Sequence, residues 1–246
     1  AMGFTTQYSY NGFDNQIKVR QQLDQATDSE PARFSETHQY FDVAGRMTHV
    51  IDGEGYLTEY VYDEFDQLTA KHQYLDAIEA TTTPQPSVDA GAQAKTQAYT
   101  YDLSGQLVYE TDALGVISHN VYDIHGNRVA LHENWDAQSE SAERTTEFSY
   151  DALDRLIARV DAKGSQDEVE TRFVFNQHGE LLEQIEAFGS DQQRNTQYQY
   201  DDAGRVVVES KFYQNAQGQE QEVRTTYQYD EAGNITSQQT GAWDGS

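Results

Sequence analysis

One pattern, repeated nine times, constrains the fold of this chain more than anything else in it. An aromatic-x-aromatic-Asp-x-x-Gly segment recurs along the sequence. Three copies are plain: Tyr99-Thr100-Tyr101-Asp102-Leu103-Ser104-Gly105, Tyr198-Gln199-Tyr200-Asp201-Asp202-Ala203-Gly204 and Tyr227-Gln228-Tyr229-Asp230-Glu231-Ala232-Gly233. Weaker copies centre on Asn11, Asp42, Asp63 (after Tyr60 and Tyr62), Asp123 (after Tyr122, before Gly126), Asp151 (after Tyr150) and Asn176. The residue before the acidic position is aromatic in all nine copies, and the glycine position holds Gly six times and Asp three times.

Two aromatics separated by one residue share a face of a strand. On neighbouring strands they are expected to stack as aromatic columns, each cross-strand pair adding about 0.2–1 kcal/mol. The Asp then opens a turn, its carboxylate accepting backbone N–H groups as an Asx-turn does. Gly three residues later suits the left-handed position that closes a type I turn with a bulge. Asp is among the next most tolerant residues there, which fits Asp14, Asp66 and Asp154. A second turn is read at Asp52–Gly55, Asp112–Gly115 and Asp161–Gly164. Asp42 to Asp63 and Asp102 to Asp123 are both 21 residues, so one unit is two strands and two turns.

Longer intervals place insertion loops near 24–35, 76–98, 134–145 and 214–222. The array runs over 8–238, with a lead-in over 1–7 that includes apparent cloning residues Ala1, Met2 and Gly3, and a tail over 239–246. The absence of any sustained helical period makes helix minor. The expected class is all-β: antiparallel hairpin repeats in a curved, spiralling sheet, closing where it can on an aromatic interior.

The Tyr-x-Tyr-Asp-x-x-Gly-Arg-Leu pattern resembles that of the YD-repeat, or RHS-repeat, family over nearly the whole chain. The family includes bacterial polymorphic toxins, insecticidal toxin complexes, wall-associated proteins and the animal teneurins. The resemblance implies a long antiparallel sheet that spirals into a hollow shell, enclosing an effector in the toxins. It also implies an Asp-Pro-x-Gly self-cleavage core in many toxin shells, and this sequence has no Asp-Pro pair.

The net charge of −26 repels phosphate backbones, so neither nucleic acid nor an anionic membrane is an expected partner. No run is apolar enough for a membrane-spanning helix, and no signal peptide is visible. There is no cysteine. The seven histidines form no H-E-x-x-H or other close ligand pair, and no nucleophile elbow, Walker loop or GxGxxG is present, so neither catalytic residues nor a cofactor are expected. Turn carboxylates raise calcium, best near Asp63, Glu64 and Asp66, but lack the ligand number it wants. Three functions follow in order. The first is a structural shell segment of a larger secreted or surface bacterial protein that encapsulates or presents a toxin or effector, its partners being further repeats and that effector. The second is a carbohydrate-binding or adhesion module, with Trp135 (and Trp243) stacking on sugars. The third is a glycoside hydrolase using paired carboxylates.

Overall fold

The computed structural model describes residues 4–24, 31–78, 86–88, 91–214 and 218–243. The residues read as left by cloning, and parts of the spans 24–35, 76–98 and 214–222, lie outside these. The described residues form eighteen strands and no helix. Among the described residues, no helix is therefore long and apolar enough to cross a membrane.

The chain divides into two units, Ala1–Ser118 and His119–Ser246. The first holds β1 (Thr6–Tyr10), β2 (Gln16–Gln22), β3 (Phe34–Phe41), β4 (Met47–Ile51), β5 (Tyr56–Tyr62), β6 (Leu68–Ala77), β7 (Ala94–Tyr101) and β8 (Leu107–Thr111). The division falls within β9 (Ile117–Tyr122). The second unit continues with β10 (Arg128–Asp136), β11 (Ser141–Tyr150), β12 (Leu156–Asp161), β13 (Val169–Phe175) and β14 (Leu181–Glu186). It ends with β15 (Arg194–Tyr200), β16 (Val206–Gln214), β17 (Glu220–Tyr229) and β18 (Ile235–Trp243), the last running through residues read as a tail. From β1 to β8, and again from β10 to β18, each strand pairs antiparallel with its neighbour in sequence.

The local cause is the acidic turn. In all nine copies the N–H of the Asp or Asn donates to the carbonyl four residues on, and its own carbonyl accepts the N–H of the third residue. At Asp102 the side-chain Oδ1 also accepts the N–H groups of Ser104 (2.8 Å) and Gln106 (2.9 Å). The third residue is left-handed throughout, from Gly105 at φ +82° to Asp66 at +64° and Asp154 at +58°. The register shifts at the aromatic that precedes the acid, as between Thr100 and Tyr101, so each motif is a type I turn with a bulge. Asp52 and Asp112 make the same turn at the opposite strand ends.

Asp161 does not. There the left-handed residues are Ala162 (φ +52°) and Gly164 (φ +79°), and the Asp161 carboxylate binds Arg159 instead (2.8 Å). The local sequence looks alike, but Asp161 still pairs with Val169 in the ladder, and the link from β12 to β13 is longer than the one closed by the Asp52 turn. The span 134–145 is also no loop: β10 and β11 run through it to a tight turn, with Trp135 opposite Ala142.

Among the described residues, no ring pair within either unit joins the aromatics of successive motifs. Successive motif strands are separated by a return strand, or roughly 9.6 Å, beyond the 4.5–7 Å at which rings engage. The described ring pairs within the units join histidines to Tyr40, Tyr74 and Trp135 instead. Every motif aromatic is at least partly exposed. Among the described residues, the large apolar side chains that are fully buried are Ile51 (1 % exposed) and Leu57 (2 %), a cross-strand pair flanking the Asp52 turn.

That turn gives a contrast. Gly55 and Gly115 occupy equivalent positions at φ +92° and +84°. A Cβ at Gly55 would sit 3.0 Å from the Ile78 carbonyl and 3.3 Å from Ala77 Cβ, whereas at Gly115 it meets nothing. Gly115→Ala should cost about 1–2 kcal/mol for the left-handed backbone alone. Gly55→Ala should cost more, by about 1 kcal/mol or above, because backbone must shift. Paired urea titrations of the two variants check this.

Candidate functional site

The residues singled out in the sequence gather along the turn rim of each unit, where they engage one another. Asp63 caps its own turn through the N–H groups of Phe65 and Gln67. Asp123, Asp151 and Asp201 do likewise, and Asp230 accepts from Asn234. Gly126, Gly204 and Gly233 fill the left-handed position at φ +90°, +75° and +86°.

The tyrosine before the acid joins neighbouring strands. Its hydroxyl donates to the carbonyl that opens the preceding return strand: Tyr62 to Met47 (3.0 Å) and Tyr101 to Leu68 (2.9 Å) in the first unit. In the second, Tyr150 reaches Arg128 (3.0 Å), Tyr200 reaches Leu181 (2.8 Å) and Tyr229 reaches Val206 (2.7 Å). Each bond closes the end of a strand pair that has no turn of its own. The earlier tyrosine of the motif does different work. Tyr227 donates to Glu209 (3.1 Å), while Tyr99 and Tyr198 are partly covered and burial pushes their phenols up. Tyr60 and Tyr122 lie on the same strand faces as their aromatic or polar partners two residues away.

The residue after the glycine position reaches the other way, a role the sequence did not reveal. Arg46 bonds Asp42 (2.7 Å), then extends to the Asp63 carbonyl (3.2 Å) and the Asp66 carboxylate (2.6 Å) of the next turn. Arg155 and Arg205 repeat this onto the carbonyls of Asn176 (3.0 Å) and Asp230 (3.3 Å). All three guanidinium groups lie over the aromatic of that next motif, 5.0 Å from Tyr62, 4.9 Å from Phe175 and 4.8 Å from Tyr229. Asn127 does the same with an amide, reaching Asp154 (2.7 Å). The adjacent guanidinium holds the carboxyls of Asp42, Asp151 and Asp201 below the usual range. The motif is thus consumed in joining repeats. Asp66 is committed to Arg46, and no three His, Asp or Glu side chains among the described residues are arranged to hold a metal.

Trp135 sits in a ring cluster, 4.8 Å from His119 and 5.1 Å from His132, with its indole N–H buried and without a hydrogen-bond partner. His132 Nδ1 pairs with the Thr145 hydroxyl (3.0 Å). The same hairpin borders a cleft of about 540 Å³ lined by Glu133, Asn134, Glu143, Arg144 and Lys163, among others.

In the first unit, Tyr40, His49, Glu59 and His72 form one cross-strand row over β3 to β6. Glu59 accepts the Tyr74 hydroxyl (2.7 Å), and burial with that carboxylate pushes the phenol up to about 12. Burial lowers His49, outweighing Glu59 at 3.8 Å. A histidine lowered in the fold takes its proton more readily when unfolded. Stability should therefore fall as pH drops through about 6.5 towards the folded value. His49→Gln should flatten that part of the profile, measured as urea midpoint between pH 7.5 and 5.5.

No protein-family model matches the chain. None of the curated proteins matches it either. Solved structures do. The crystal structure of TcdB2-TccC3 without its hypervariable C-terminal region superposes over 95 % of this chain with a TM-score of 0.67 at 14 % identity. The fold is that of a TcdB2-TccC3 segment. A second TcdB2-TccC3 crystal structure gives 0.64 over 92 % at 13 % identity. This chain spans only 12 % and 14 % of the two TcdB2-TccC3 chains. At such identity the likeness concerns architecture alone, and it covers both units of the array.

Proposed function

We propose that this chain is a non-catalytic segment of a repeat-built shell, part of a larger secreted or surface bacterial protein that encloses or presents a toxin or effector. The observation that carries this reading is the two-way lateral linkage of the motif, with tyrosine reaching back and arginine reaching forward. Side chains spent this way hold repeats to repeats. The fold shared with TcdB2-TccC3 over nearly the whole chain, itself a small part of that longer molecule, supports it. So does the sequence resemblance to YD-repeat shells.

An array of this kind gains stability from each interface between neighbouring repeats. Two copies of the chain fused in tandem should unfold at a higher urea midpoint than one, because the junction adds an interface. Identical midpoints for the single and tandem proteins would remove the basis for a shell-extending role.

Carbohydrate binding is the second reading, favoured by the Trp135 ring cluster and the polar cleft beside it. Glycan-array binding that disappears in Trp135→Ala would establish it. Binding that is absent, or unchanged by the substitution, would remove it.

A further inference from the structure

The tips of the acidic turns carry side chains that the turn does not need. In the first unit the two central positions hold Phe13, Val43, Phe65 and Leu103 in successive motif turns. These side chains are 88 %, 110 %, 74 % and 109 % exposed. The same turn closes equally well around Gln177 and His178, Asp202 and Ala203, or Glu231 and Ala232 in the second unit. Turn geometry therefore does not require the four apolar tips of the first unit, a run that Ile124 (97 % exposed) and Leu153 (70 %) continue at the Asp123 and Asp151 turns of the second. All four turns lie at one end of the β1–β8 ladder, every second strand apart, so the tips recur at roughly 10 Å.

The rim between the tips is acidic. Asp14, Glu64 and Asp102 are exposed beside Phe13, Phe65 and Leu103. Among the described residues, Arg46 reaches this rim, and it is committed to Asp42 and Asp66. An occupant must match apolar points at that interval and bring positive charge between them. A polyproline II helix rises roughly 3.1 Å per residue with three residues per turn, so every third side chain returns to one face and meets a tip.

We propose that this rim docks a cationic polypeptide in the polyproline II conformation, whose apolar residues recur at every third position with lysine or arginine between them. Phe13, Val43, Phe65 and Leu103 supply the apolar contacts, and Asp14, Glu64 and Asp102 supply the charge. This surface is distinct from the Trp135 hairpin and does not depend on the shell reading.

The probes are two labelled peptides, (Leu-Lys-Lys)4 and (Ser-Lys-Lys)4, titrated by fluorescence anisotropy against the whole chain at 0.15 M salt. Their charge is equal, so non-specific attraction to an acidic protein cancels. The leucine peptide should bind at least tenfold more tightly. The combined variant Phe13→Ser, Val43→Ser, Phe65→Ser and Leu103→Ser, all at exposed positions, should keep its circular dichroism spectrum and bind both peptides alike. Equal affinities on the native chain would overturn the proposal, as would a leucine preference that survives in the variant. Concentration-dependent dimerisation abolished by the variant would assign the rim to a second copy, and so would also overturn it.

Discussion

Replacing Leu57 by alanine is expected to lower the unfolding free energy by about 2–5 kcal/mol. Among the described residues, Leu57 and its cross-strand partner Ile51 are the fully buried large side chains, so truncating Leu57 leaves a cavity. Elsewhere the sheet leaves its side chains half covered, and little packing exists to lose. Leu103→Ala, at a turn tip that is fully exposed, should stay within about 0.5 kcal/mol of the native chain. Urea titration of both variants makes the comparison, with a lower midpoint for Leu57→Ala at an unchanged slope. Equal stabilities would mean that the Ile51–Leu57 contact is not the core it looks to be.

The second large effect concerns the tyrosine hydroxyls. Tyr150, Tyr200 and Tyr229 each donate to a return-strand carbonyl in the second unit. Each bond is worth about 0.5–1.5 kcal/mol net. The three sit in separate turns, so their losses should add, and the triple Tyr→Phe variant should lose about 1.5–4.5 kcal/mol. The ring and its packing stay, which isolates the hydroxyl. Tyr198→Phe is the control, because its partly covered hydroxyl makes no described hydrogen bond, and it should change stability by less than about 0.5 kcal/mol.

The turn was legible in the sequence because its causes are local. An Asx cap, a left-handed third residue and a bulge all lie within five residues, and Asp14, Asp66 and Asp154 were correctly read as glycine substitutes. The strand faces were legible for the same reason, since alternation is a property of the chain itself. What the residues then touch was not legible. Tyr101 bonds a carbonyl 33 residues earlier, and Arg46 bonds a turn 17 to 20 residues later. Both partners depend on which strand lies alongside. The aromatic columns failed on the same point, because the intervening return strand sets a spacing that the motif alone does not show. Asp161 misled because the length of the link from β12 to β13 is set outside the four residues that define the turn. The exposed tips went unremarked because exposure depends on packing that the motif does not record.

The central claim is that consecutive copies of the motif lie side by side as neighbouring hairpins in one fixed register. The chain has no cysteine, so an introduced pair reports without interference. Val208 on β16, in the Asp201 repeat, faces Thr226 on β17, in the Asp230 repeat. Cysteines at 208 and 226 should oxidise to an intramolecular disulfide, their Cβ atoms being about 5 Å apart on one face. Cysteines at 208 and 225 should not, since residue 225 points to the other face. Ready crosslinking of 208 to 225, or none between 208 and 226, would contradict the arrangement.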